Sequence, residues 1–405
     1  MTQQMHEPGR AEALDRAELF IRLDTLTACP GNCPGCALSQ AERRADMPSL
    51  PMRRLDEIYR LAERHARAMV PHSVVITHGI GDHLMLPTEQ VQRLLQRAEQ
   101  FVLSIPGIDV TSSLIQFSTS LIGREKHTAA RLQRIAKARG QVPVVPLVVV
   151  DPLKIVHEGY GPVYKRLVAL ARDLFGKADA GINLSLPAIE AMPAEQFHDL
   201  LAEYGYSEVE LVWAPTDDSL DRTATGLDRL AEWVTAFHIR AEQQGVLYSS
   251  TSDLADHARM IWSRPPMPLP AQVREAAATS MRRYLRFDET GELQPDFPAT
   301  AAIFHSSRFG LKGAGRIDGI EDLAQLAATT EPKLAAHILK THMRSPACAD
   351  CPHLPVCATT GFHILNNVLS DGGMTADAGC PNRVARALFD RIAEDWQTDR
   401  QQSTA

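Results

Sequence analysis

From about residue 19 to residue 245 the chain alternates short apolar runs with amphipathic segments, and this alternation narrows the fold more than any other property. Segments 19–26, 73–77, 114–118, 144–150, 181–186 and 208–213 read as strands, and 53–70, 88–102, 126–139, 164–175, 193–204 and 221–244 read as helices. Within 53–70, Leu55, Ile58, Tyr59, Leu61 and Ala62 make a stripe at helical spacing. Segment 88–102 opens on Thr88 as an N-cap, with Glu89 in its first turn. Segment 144–150 is continuously apolar, as strands covered on both faces are. Six strand–helix repeats predict a parallel sheet beneath helices. Periodicity leaves open whether the sheet is doubly wound or curved into a barrel. In either case chemistry gathers at the C-terminal ends of the strands.

The seven cysteines divide into two groups. Cys29, Cys33 and Cys36 stand in Cys-x3-Cys-x2-Cys spacing directly after the first strand, and Cys348, Cys351, Cys357 and Cys380 lie late in the chain. The start, Met-Thr-Gln-Gln-Met-His-Glu-Pro-Gly-Arg, is polar and does not resemble a secretion signal, and no run reaches the length of a membrane span. A cytoplasmic location with reduced thiols follows, in which clustered cysteines read as metal ligands. Three thiolates hold three corners of a cubane [4Fe–4S] cluster and leave one iron without a protein ligand, whereas electron-transfer clusters use four cysteines. A small molecule with an amine and a carboxylate can chelate that iron. Structural zinc prefers four closed ligands, and no fourth Cys or His follows Cys36 at local spacing. The late group makes a closed shell of four thiolates, which suits a second [4Fe–4S] cluster or zinc; spacing leaves both open.

Composition supports a sizeable core, with 44% hydrophobic and 22% charged residues. A net charge of −7 speaks against nucleic-acid binding through a broad basic surface. Neither nucleic acid nor a membrane is therefore expected as a partner. The organisation reads as a flexible start (1–17), an α/β core (18–245), a linker and helix (246–285), a smaller α+β domain around a metal centre (286–397) and a tail (398–405). Within the later part, 263–270 is a proline-rich linker and 272–285 a helix. Segment 287–293 is a turn with apolar ends, 301–304 a strand, 320–328 and 333–340 two helices, and 384–396 a terminal helix.

The segment Thr27-Ala-Cys-Pro-Gly-Asn-Cys-Pro-Gly-Cys-Ala37 resembles the cluster motif of the radical S-adenosylmethionine (SAM) enzymes, and the resemblance covers about residues 18 to 245. It implies an α/β fold, a partial (β/α)6 radical SAM barrel followed by a smaller α+β iron–sulfur domain, with SAM chelated to the open iron. After strand two, Gly79-Ile-Gly-Asp-His83 is similar to the Gly-Gly-Glu-Pro-like loop that holds the SAM amino group. Gly81-Asp82 match best, and the loop departs from that pattern at two positions, Ile80 for Gly and Asp82 for Glu. In Ser118-Thr-Ser-Leu121 the resemblance places Thr119 and Ser120 toward the SAM ribose or carboxylate; a strand-end turn is the alternative. Asn183 and Ser185 on strand five, and Ala214 in Trp213-Ala-Pro215, complete the implied SAM contacts. Gly35 stands where the family usually has an aromatic residue. Asp151-Pro152, His157-Glu158 and Tyr160-Gly161 look like the Asp-Gly-Pro…His-Asp segment of the peptide-maturing branch.

The late cysteines resemble the SPASM auxiliary-cluster domain, whose run is Cys-x2-Cys-x5-Cys-x3-Cys. Gly361 occupies the fourth place, the domain's earlier pair is missing, and Cys380 fits the late position. The resemblance thus implies one auxiliary [4Fe–4S] cluster. The implied activity is reductive cleavage of SAM to a 5′-deoxyadenosyl radical, fed by a flavodoxin- or ferredoxin-type electron donor. Hydrogen abstraction would serve the oxidative modification or crosslinking of a peptide or protein side chain. A small-molecule substrate (a sugar, an amino acid or a tetrapyrrole precursor) is the alternative, and a non-catalytic, metal-stabilised binding protein is the rival of another class. No residue is assigned as catalytic. Asp217 and Asp218 are candidates for proton transfer, and His78 and His83 read as structural histidines.

Overall fold

The computed structural model describes residues 18–26, 28–31, 43, 50–212, 224–288, 290–295, 315–343, 345–360, 380 and 382–403. The six expected strands form as β1 (Glu18–Leu26), β2 (Ser73–Ile80), β3 (Leu114–Thr119), β4 (Val144–Val149), β5 (Asp179–Asn183) and β6 (Glu208–Val212). Four more follow: β7 (Tyr248–Ser249), β8 (Tyr284–Phe287), β9 (Glu292–Pro295) and β10 (Gly315–Arg316). All ten belong to one sheet in the order β10-β9-β8-β1-β2-β3-β4-β5-β6-β7. From β8 to β7 every pairing is parallel, and β8–β9 and β9–β10 are antiparallel. The sheet is open, as in a partial barrel, with β7 and β10 as its edges among the described residues.

The two faces of β1 differ. Leu19, Ile21 and Leu23 are fully buried in the apolar core with Leu55, Ile58 and Ala62. Phe20, Arg22 and Asp24 alternate with them and so belong to the other face. Register carries that face across the sheet: Arg22 pairs with Thr77 on β2 and Arg286 on β8, and Thr77 pairs with Gln116 on β3. Thr77 Oγ1 donates to Gln116 Oε1 at 2.9 Å, and Gln116 Nε2 donates to Asp179 Oδ2 of β5 at 2.7 Å. Gln116 and Asp179 stand two strands apart, about 10 Å on a sheet, and meet on this inner face across β4. Pro146 lies inside β4 opposite Phe117, but pairing with β5 begins only at Leu147↔Asp179. The missing N–H thus falls where β4 has a single ladder partner, the kind of place a strand tolerates proline.

The helices are α1 (Met52–Met69), α2 (Thr88–Leu103), α3 (Glu125–Ala136), α4 (Pro152–Ile155), α5 (Gly161–Phe175), α6 (Leu186–Ala191), α7 (Ala194–Tyr204) and α8 (Ala224–Gln244). Beyond them come α9 (Ser250–Ser263), α10 (Leu269–Arg283), α11 (Leu323–Met343), α12 (Pro346–Ala349), α13 (Leu354–Thr359) and α14 (Arg383–Ser403). The long helices of the first half touch in succession, α1–α2–α3–α5–α7–α8. The late helices complete a circuit: α14 lies on α8 and α9, α13 touches α9, α10 and α11, and α11 returns to α1. The strands leave an opening, while the helices close a ring around it.

Some expectations change in detail. The proline-rich stretch joins α9 to α10, and the segment read as linker and helix also holds β7 and the start of β8. The two helices expected at 320–328 and 333–340 are one helix, α11, with Pro332 inside it. The terminal helix runs through Ser403, into the stretch read as tail. The expected strand at 301–304 lies outside the described residues.

Candidate active site

The C-terminal ends of β1, β2 and β3 are tied together by their own backbone and by short polar side chains. Gly81 N donates to Leu26 O at 2.7 Å, and Asp82 N donates to Ala28 O at 2.9 Å. The glycine loop after β2 is therefore bonded to the chain leading into the first cysteine motif. Cys29 N donates to Arg43 O at 3.3 Å, and Gly31 N donates to Cys29 Sγ at 3.3 Å. An N–H directed at a cysteine sulfur is the contact that a metal-bound thiolate accepts. Cys33 and Cys36 lie outside the described residues.

Asp82 is 1% exposed, and its carboxylate is fully engaged. Oδ1 accepts from Leu84 N at 2.9 Å, and Oδ2 accepts from Ser120 N at 3.1 Å and from the Ser120 hydroxyl. The Ser118 hydroxyl donates to Gly81 O at 2.5 Å. His83 joins the same knot. Its Nδ1 faces Ser118 O at 3.1 Å, and its Nε2 lies 2.7 Å from Thr25 Oγ1. A carbonyl only accepts, so the proton is placed on Nδ1, and Nε2 accepts from Thr25. Burial pushes the His83 pKa down to about 4, against the opposing pull of the Ser118 carbonyl, and so holds the ring neutral. Asp82 and Ser120 thus meet directly, while Gly81 bonds Leu26 and Ser118 beside them.

The remaining predicted contacts fall as follows. Thr119 Oγ1 accepts from Leu121 N at 3.1 Å, in a strand-end turn where Leu121 adopts φ 53°. A left-handed leucine is strained, and Tyr160 Oη holds it by donating to Leu121 O at 2.8 Å. Ser185 Oγ accepts from Ala188 N at 3.3 Å and caps α6. Asp151 caps α4 through Leu153 N at 3.0 Å. Asn183 ends β5 at the same edge of the sheet. Ala214, Trp213, Asp217 and Asp218 lie outside the described residues. His78 belongs to the helix-covered side, 3.5 Å from Tyr59 Oη, with its pKa lowered by burial to about 3.

Sequence reasoning overlooked a charged group on the inner face. The Arg286 guanidinium contacts Asp24 Oδ2 through Nη2 at 2.9 Å and Nε at 3.2 Å, joining β8 to β1. Asp24 is 0% and Arg286 1% exposed. The sequence did carry a signal: in Leu19-Phe-Ile-Arg-Leu-Asp-Thr-Leu26 the two charges sit two residues apart, on one face of a strand otherwise apolar. The β1–β2 register also slips between Leu23 and Leu26, as at a bulge, which aims Asp24 toward Arg286 and Thr25 toward His83.

The late cysteines sit around α12 and α13. Cys348 lies in α12, Cys351 in the turn after it and Cys357 in α13. The five described cysteines are free of disulfides. Burial raises the pKa of the Cys357 thiol, and Cys380 and Cys348 raise it further. Cys380 is pushed up to about 11, chiefly by burial and then by Cys348 and Cys351. The four thiols remain the candidate donors, although among the described residues no three His, Cys, Asp or Glu side chains are grouped so that they could hold a metal ion. Asn382 Nδ2 donates to Cys357 Sγ at 3.4 Å, a contact that steadies one of the donors.

No family profile matches this chain, and no curated protein matches it significantly. Solved structures do. The chain is similar to native anSMEcpe with bound AdoMet and the Cp18Cys peptide, at TM-score 0.59 and 10% identity, over 96% of this chain and 100% of that one. It is also similar to SuiB of Streptococcus suis bound to S-adenosylmethionine, at TM-score 0.51 and 15% identity, over 88% of this chain and 76% of that one. At these identities the likeness establishes a shared fold, that of the radical SAM partial barrel.

Proposed function

We propose that this protein is a radical SAM enzyme that abstracts a hydrogen atom from a peptide side chain in an oxidative modification. One observation carries the reading: nearly the whole chain follows the fold of a protein solved with AdoMet and a peptide bound. That protein and SuiB are both SPASM/radical SAM enzymes. In this reading Cys29, Cys33 and Cys36 hold the SAM-binding [4Fe–4S] cluster, and Cys348, Cys351, Cys357 and Cys380 hold one auxiliary cluster. When bound, the first cluster and SAM together supply a 5′-deoxyadenosyl radical that removes a substrate hydrogen.

The chain's own part is to bind, orient and exclude water. The bonds from Gly81 and Asp82 to Leu26 and Ala28 fix the first cysteine loop against β2. The Thr25–His83–Ser118 chain holds that edge with a neutral imidazole, so His83 adds no positive charge beside a sulfonium ligand. Asp82 keeps its carboxylate on Ser120 and Leu84, which locks β2 to β3 beside the site.

The test is anaerobic reconstitution with iron and sulfide, with zinc measured alongside. About eight irons per chain are expected, together with 5′-deoxyadenosine when SAM and a flavodoxin- or ferredoxin-type reductant are added. Deuterium passing from a labelled peptide into 5′-deoxyadenosine would identify the substrate class. Zinc without iron would overturn the reading in favour of a metal-stabilised binding protein.

A further inference from the structure

Leu121 is buried and adopts φ 53°, a shape that leucine keeps only where its surroundings over-determine it. Two bonds do so: Leu121 N donates to Thr119 Oγ1 at 3.1 Å, and Leu121 O accepts from Tyr160 Oη at 2.8 Å. Thr119 lies in the same turn, whereas Tyr160 stands 39 positions further along, at the N-cap of α5. The left-handed penalty is comparable with the net worth of one hydrogen bond. The Tyr160 bond therefore decides whether the turn keeps its shape. A relaxed Leu121 would redirect the chain and carry Ser120 off Asp82, whose Oδ2 accepts from Ser120 N and from the Ser120 hydroxyl. Asp82 N in turn donates at 2.9 Å to the carbonyl of Ala28, the residue before Cys29.

Tyr160 is itself fixed. Tyr160 N and Gly161 N donate to His157 O at 3.1 and 2.8 Å. A Cβ built at Gly161 would run into the backbone carbonyl of Ile155, so α4 and α5 meet at a corner that glycine makes room for. The Tyr160 ring lies against that of Tyr164, with centroids 6.0 Å apart. The glycine sets the corner, and the tyrosine reaches from it to the turn after β3. We propose that Tyr160 is a positioning residue for the first cysteine loop. Its hydroxyl latches the turn, the turn holds Ser120 on Asp82, and Asp82 holds Ala28 beside Cys29. This rests on the radical SAM reading above only for what the loop binds.

The experiment compares Tyr160→Phe, which removes the hydroxyl and keeps the ring, with Tyr164→Phe, whose hydroxyl faces Val149 O and Tyr206 instead. Amide hydrogen exchange is followed over 80–84 and 118–122 in the full chain, and iron release to a chelator in the reconstituted chain. The iron that Cys33→Ala lacks marks the first motif. Tyr160→Phe should speed exchange in both segments, and iron release from the first motif, by about threefold or more. Tyr164→Phe should leave all three rates as they are. Gly161→Ala should repeat the effect with the hydroxyl intact, since its Cβ displaces the corner; should that variant not fold, Tyr160→Phe decides alone. Unchanged exchange in Tyr160→Phe, or equal effects of the two tyrosine variants, would overturn the latch. Faster exchange with unchanged iron release would overturn its reach to the cysteine loop. A chain that takes up no iron would refute the radical SAM reading, and exchange at Asp82 and Ser120 would still decide the latch.

Discussion

The residues that tie the sheet edge together are buried and polar, and their protonation sets how the fold answers to acid. Burial lowers His78 to about 3, and His83, His238 and His257 to about 4. The unfolded chain takes up these protons near pH 6.5, well before the folded chain does. Between about pH 6.5 and 4 the unfolded state therefore binds more protons, and stability falls as pH falls, by up to about 1.4 kcal/mol per pH unit for each such histidine. Above pH 6.5 this contribution is fully present. Chemical denaturation across pH 4 to 8 should show a plateau above about 6.5 and a steady decline below it; a flat profile would mean the rings reach water. Cys33 tests the chemistry at the same scale. Cys33→Ala should abolish 5′-deoxyadenosine formation and lower bound iron by about half. Unchanged SAM cleavage in that variant would refute the ligand assignment.

At the scale of elements, α11 carries a local contradiction. Pro332 is exposed in the interior of a 21-residue helix, where proline removes a donor and crowds the preceding turn. Pro332→Ala should raise stability by about 1 to 3 kcal/mol, read as a higher denaturant midpoint at unchanged slope. A loss instead would mean that the proline helps to place the turn bearing Cys348. The same proline explains why two helices were expected here: a proline reads as a break, and only the packing of Leu334, Ala335 and Ile338 into the core carries the helix past it. The strands of the first half were legible because their runs are apolar, and the stripes at 55–62 announced α1. β7 and β8 were not legible. They have two and four residues, and they exist as strands because β6 and β1 present parallel partners. At the site, the order of Cys29, Gly81, Asp82 and Ser120 along strand ends could be read from the chain. What those polar groups bond to could not, because Asp82 to Ser120 and His83 to Thr25 are contacts between strands. Asp24 and Arg286 are 262 positions apart, and no local pattern relates them.

At the scale of the whole molecule, the helix ring makes the late segment part of the same folding unit as the sheet. α14 packs on α8 and α9, α13 reaches α9, α10 and α11, and α11 lies on α1. Phe389 of α14 is 1% exposed, and its ring lies 5.9 Å from that of His353, which sits between Cys351 and Cys357. His353 Nε2 in turn lies 2.7 Å from Asp390 Oδ1 on the same helix. Phe389 thus joins the last helix to the turn that carries the late cysteines. Phe389→Ala should cost about 3–5 kcal/mol, a large share of the 5–15 kcal/mol that usually holds a fold. If the ring couples the two halves, that loss is felt everywhere. Far-ultraviolet circular dichroism, which follows the sheet and helices, and tryptophan fluorescence, which follows Trp233 and Trp262 among others, should then shift together to a lower midpoint. If the late segment were an independent unit, the variant would split the unfolding into two steps. The step belonging to β1–β6 would stay where it is in the unaltered chain.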